Sequence, residues 1–197
     1  MKKGFLLSGL VAVSLLTSSV YAKGNHHKKS LYSADKKIAK KAIKTLMKDM
    51  KKNFKSAMKK DGPVGAVNFC SNKAEEIIAN TNKNFKNGVS IKRVTLKPRN
   101  PKDQANDSET AILTSLEALQ GNGVVLPKML VQKVDKTHTR VFKPIIVQAK
   151  CLICHGTQDK LDPKAYEAIK AKYPNDKATG YKAGDLRGAF VVDIVKK

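Results

Sequence analysis

Cys151-Leu152-Ile153-Cys154-His155 sets two thiols three positions apart and places an imidazole directly after the second. Two thiols at this spacing add to the two vinyl groups on one edge of a haem, and the adjacent histidine then lies beneath the iron as a proximal ligand. Other uses of such a pair need more than the chain offers. A zinc ribbon requires a second cysteine pair, and Cys70 is the one cysteine left. A thioredoxin-like dithiol asks for a βαβ setting and no histidine. A structural disulfide across two residues is open to an exported protein. The motif points to one covalently attached haem c, held by Cys151 and Cys154, with His155 on the metal.

The opposite axial position has several candidates: Cys70, His138, the methionines 47, 50, 58 and 129, and the His26-His27 pair. Methionines on helical stripes commonly fill cores. Cys70 falls on the apolar face of a helix, where a free cysteine ordinarily serves as a small buried hydrophobe. It is also a single thiol without a disulfide partner if Cys151 and Cys154 hold haem.

The chain's beginning speaks to compartment. Met1-Lys2-Lys3 precedes an apolar run from Phe5 to Val20, and Val20-Tyr21-Ala22 supplies small residues at a cleavage site. Residues 1–22 therefore read as a secretory signal, which delivers the protein to the periplasm, where c-type haem is attached. No later window approaches the ~20 apolar residues of a membrane span. Residues 23–32 read as a flexible basic arm, and 33–197 as one domain.

The elements that must position the motif follow from periodicity. Ser33 is placed to cap a long helix in which Ile38, Ala42, Leu46, Met50 and Phe54 recur every four residues, ending at Asp61-Gly62-Pro63. A second helix over 64–79 carries Cys70. Strands are expected over 89–96, 128–134, 139–147 and 187–195, with Asp135-Lys136 in a hairpin turn. Helices are expected after a cap at Asp107 or Ser108 and over 163–172. Helices before, between and after antiparallel strands give an α+β class.

Taken together, Asn68-Phe69-Cys70, Arg99-Asn100-Pro101 with Glu109 and Leu113, and Lys143-Pro144 ahead of the Cys151–Gly156 motif form a recognisable series. Tyr173-Pro174-x-Asp176 and Gly180-Tyr181-x-x-Gly184-Asp185-x-Arg187-Gly188-Ala189 complete it. The series resembles the exported single-haem c-type proteins with a PAS-like fold, a domain that also serves as the periplasmic sensing part of some histidine kinases. The resemblance covers about 38–195. It implies a PAS-like antiparallel sheet flanked by helices, and a His/Cys axial pair of His155 and Cys70. Thiolate is a strongly donating ligand that favours the ferric state, and its departure on reduction makes a redox switch. Arg99 and Arg187 are candidates for the haem propionates, since a guanidinium matches a carboxylate bidentately. Tyr181 and Asn100 are expected near the same region.

Charge bears on partners. Lys and Arg total 39 against 16 Asp and Glu, a net charge of +23. Export, dispersed lysines and the lack of a nucleic-acid motif argue against nucleic acid. An acidic redox or signalling partner, or an anionic membrane surface, suits the charge better. The leading expectation is a redox or small-ligand sensor that signals through a partner. The alternatives are a plain electron-transfer cytochrome and an enzyme oxidising sulfur compounds.

Overall fold

The computed structural model describes residues 32–85 and 88–196. The expected signal, 1–22, and the arm up to residue 31 lie outside the described residues. No helix among the described residues is long and apolar enough to cross a membrane.

Alternating side chains build one four-stranded antiparallel sheet. Its strands are β1 (Val89–Val94), β2 (Leu130–Lys133), β3 (His138–Ile146) and β4 (Leu186–Val195), in the spatial order β1-β4-β3-β2. Period-two alternation sends Ile91, Val141, Phe190, Val192 and Ile194 to one face, where they meet Ala39, Ala42, Ile43 and Leu46 of helix α1 (Ser33–Asn72). Val94, Phe142, Ala189 and Val191 point the other way, onto Leu113 and Leu116. Those leucines lie on α3 (Asp107–Gly121), which follows α2 (Ala74–Lys83). The α+β architecture with a long first helix is as expected.

Helix α1 is not one rod. Asp61 and Gly62 leave helical geometry, with Gly62 at φ 58° and ψ −149°, and Pro63 restarts the helix. The Phe54 and Phe69 rings meet edge to face at 6.5 Å. A straight helix would hold those residues about 22 Å apart. The chain therefore doubles back at Asp61-Gly62, where the sequence places a stop. The two arms approach closely at Gly65, where an added Cβ would lie 2.5 Å from the Ala57 carbonyl oxygen.

Three local expectations need correction. The helix expected over 64–79 breaks at Lys73 (φ −121°, ψ −20°), which separates α1 from α2. Ser33 begins α1, but no side chain caps that end. Neither Asp107 nor Ser108 caps α3. Asn106 does, accepting from the Glu109 amide while the Glu109 carboxylate accepts from the Asn106 amide. That reciprocal pair satisfies two amides at once, which a cap one or two residues later would not.

Candidate functional site

The thiol motif is delivered by the end of β3. Pairing with β2 stops at Phe142↔Leu130, so Pro144 sits where the far edge of β3 is unpaired and its missing N–H costs nothing. A register shift between Ile145 and Ile146 ends the strand. The chain then makes a 3-10 turn, Ala149–Cys151, and one α-helical turn, α4 (Leu152–His155). Cys151 closes the 3-10 turn and Cys154 lies in α4, and both border one cavity. None of the three cysteines is joined to another in a disulfide.

His155 is held in one tautomer. Its Nδ1 lies 2.7 Å from the Ala178 carbonyl oxygen, which only accepts, so Nδ1 carries the hydrogen. Desolvation in the cleft, reinforced by Arg99 and Arg187, pushes its pKa down to about 3. The ring is neutral at physiological pH and Nε2 keeps its lone pair. Tyr181 stands edge-on to the imidazole with ring centroids 6.4 Å apart, and the Tyr181 amide donates to the His155 carbonyl at 3.0 Å.

Arg99 clamps this arrangement from below. Its Nη2 donates to the Cys154 carbonyl at 2.6 Å, and its Nε donates to Asp176 Oδ2 at 3.1 Å. Asp176 Oδ1 in turn accepts from the Ala178 amide at 2.8 Å, which sets the carbonyl that orients His155. Arg187 Nη1 donates to Thr95 Oγ1 at 2.7 Å, and its guanidinium lies over the Tyr181 ring at 5.4 Å.

Two cavities meet at Cys151 and His155. The larger, of about 470 Å³, is also lined by Cys70, Arg99 and Cys154, with Phe54, Met58 and Val67 supplying apolar wall. The smaller, of about 240 Å³, adds Arg187, Arg93, Met47, Met50 and Phe190. All six residues singled out from the sequence thus border one bipartite cleft. Its roof is the doubled-back α1, with Phe54 and Met58 on one arm and Val67 and Cys70 on the other. The short arm is backed by α5 (Pro163–Lys172), where Val67 packs with Ala165 and Ile169. Burial pushes the Cys70 thiol up, against the opposing pull of Arg93 and Arg99. Among the described residues no three His, Cys, Asp or Glu side chains cluster as an all-protein metal site.

Other sequence candidates fall elsewhere. His138 pairs with Asp193 at 2.7 Å, beside Arg140 on the same carboxylate. Asn100 turns to Glu75 of α2 and lines neither cavity, because its side chain also caps the 3-10 turn Pro101–Asp103. Arg93 was not singled out from the sequence. Its Nη2 pairs with Asp103 at 3.1 Å, while its Nε is buried with no hydrogen-bond partner beside the smaller cavity. The signal was there, since Arg93 shares the inward parity of Val89 and Ile91 in β1.

Comparison with the curated proteins finds no match. Among solved structures, that of the cyanobacterial heme-protein Tll0287 is similar, with a TM-score of 0.59 and 25% sequence identity. The likeness covers 83% of this chain and 96% of that one. The Tll0287-like family profile matches residues 27–195, a span that takes in every element of the sheet, both arms of α1 and the whole cleft. On that match the chain belongs to the Tll0287-like family.

Proposed function

We propose that the protein is an exported haem c protein that senses redox state or a small ligand through a His155/Cys70 axial pair. One observation carries the reading: Cys70, Cys151, Cys154 and His155 border one cavity, and the histidine is locked in the tautomer whose Nε2 is free to ligate. The likeness to a cyanobacterial heme-protein supports it.

The residues present fit the group. The cleft is within the usual size of small-molecule sites, mostly apolar, with few placed polar atoms. The orphaned Nε of Arg93 beside Arg187 suits an anionic substituent such as a propionate. Arg99, by contrast, spends Nε and Nη2 on Asp176 and Cys154, so its first role is to hold the motif in place.

When bound, the haem supplies an iron that changes oxidation state and accepts small axial ligands. The chain's own residues divide the work. Cys151 and Cys154 would tether the group, and His155 would hold its iron from a position fixed by Ala178. Met47, Met50, Phe54 and Met58 exclude water. Cys70 would be the less firmly held of the two ligands, because it rides on the short arm of α1 whereas His155 is braced by Ala178, Tyr181 and the Arg99–Asp176 pair.

The test is intact mass and absorption of protein matured in a periplasm equipped for c-type haem attachment. The expected result is one added haem, with carbon monoxide bound only after reduction. A bare polypeptide mass rejects the haem reading. A haem protein that binds gas in neither oxidation state is a carrier rather than a sensor.

A further inference from the structure

The outer surface of α1 bears a feature that the cleft does not explain. Lys37, Lys40, Lys41, Lys44, Lys48, Lys51, Lys52, Lys55 and Lys59 are all exposed. At 100° per residue these nine fall within a sector of about 120°, shared only with Met58, and run for about 33 Å. Among the described residues none of the nine takes part in an ion pair. The two acidic residues of this arm before the bend lie off the stripe. Asp35 is buried against Lys196, and Asp49 is partly covered. Like charges at these spacings repel along a helix, so the helix tolerates an unfavourable arrangement.

The stripe is not isolated from the cleft. Lys55 and the exposed Lys150, the residue before Cys151, both line the larger cavity. The basic track therefore passes the cavity mouth in its last two turns. The apolar face of the same arm is used up: Ala39, Ala42, Ile43 and Leu46 are buried on the sheet. A helix that lies in a lipid interface needs such a face free to enter the acyl boundary.

We propose that this lysine track is the docking surface for an acidic partner protein, which it guides to the mouth of the cleft. The partner presents carboxylates along a line, matching an array one helix wide. The inference rests on the sensor reading only for its purpose; the binding itself requires no haem.

The probe is a fluorescently labelled, strongly acidic plant-type ferredoxin, with association read by anisotropy at low and moderate ionic strength. Purified full chain is used, and intact mass records separately whether haem is attached. Lys41, Lys44, Lys48 and Lys51 are changed together to Gln. A control changes Lys128, Lys133, Lys136 and Lys164, exposed lysines away from α1. The expected result is salt-sensitive binding weakened roughly tenfold or more by the α1 set and clearly less by the control. Equal effects of the two sets show that only net charge matters and overturn the proposal. So does the absence of binding to the acidic protein, or sedimentation of the chain with phosphatidylglycerol vesicles in its place.

Discussion

Arg99 reaches across the cleft floor to donate to the backbone carbonyl of Cys154 at 2.6 Å. The contact joins the segment after β1 to the turn that carries both thiols of the motif. It also sets the order in which the site is built: the Asp176 carboxylate holds Arg99 and the Ala178 amide, Ala178 holds His155, and Arg99 holds Cys154.

Removing the guanidinium leaves Asp176 buried without its counter-charge. The Arg99–Asp176 side chains are 12% and 9% exposed, so screening by water is slight. Arg99→Ala is expected to lower the free energy of unfolding by about 3 kcal/mol. Urea denaturation measures this, and the Arg99→Ala/Asp176→Ala double variant should recover part of the loss.

On the proposed haem reading, the role of Cys70 can be tested apart from attachment. In Cys70→Ala the haem mass should stay and the ferric absorption spectrum should change. An unaltered spectrum would sink the His155/Cys70 axial pair while leaving the thioether tether standing.

The bend in α1 depends on a backbone conformation nearly restricted to glycine. Gly62 lies at φ 58° with ψ −149°, and no atom would crowd an added Cβ there. The penalty of Gly62→Ala is thus conformational, about 1–3 kcal/mol. Thermal unfolding reads the cost. Weakened Phe54–Phe69 packing, seen in aromatic proton shifts, reads the opened bend.

The cap of α3 gives a smaller effect. Asn106→Ala removes the acceptor for the Glu109 amide and should cost about 1 kcal/mol in denaturant unfolding. If haem is attached as proposed, its spectrum should stay unmoved, because α3 lies on the far face of the sheet from the cleft.

Acid sensitivity has one identifiable contributor. Hydrogen bonds from Lys102 and Asn100 hold the Glu75 carboxyl below its ordinary value of 4.5. A carboxyl lowered on folding stabilises the native state above its unfolded value, and the contribution vanishes as the pH falls through the lower folded value. Melting temperatures of Glu75→Gln should therefore fall less steeply with acid than those of the parent. Parallel curves would show that the contact adds nothing.

Much of this could be read from the chain, for definite reasons. That Cys151, Cys154 and His155 share a cavity is legible because they lie within five residues of one another in the chain. The stop at Asp61-Gly62-Pro63 is legible because a glycine followed by proline ends a helix in any context. What the stop leads to is not legible, since the return of the chain depends on Phe69 meeting Phe54 and on Gly65 admitting Ala57. The cap expected at Asp107 or Ser108 falls instead on Asn106, because only there does Glu109 lie three residues on to return the bond. Arg93 hides for another reason: beside the exposed Lys92, a second basic residue in a strand looks solvent-facing too unless its parity with Ile91 is weighed. The occupation of Asn100 by Glu75 joins segments that only the tertiary fold brings together.

The reversal at Gly62 gives the cleft a mechanical character. One wall belongs to the long arm, which is anchored in the sheet through Ala39 and Leu46. The facing wall, with Cys70, belongs to the short arm, which leans on α5 through Val67. Only Asp61 and Gly62 leave helical geometry between them, so widening the gap and swinging the short arm are the same movement. Loosening of the Cys70 side would reach the protein's exterior as a tilt of that arm and α5 relative to the lysine track.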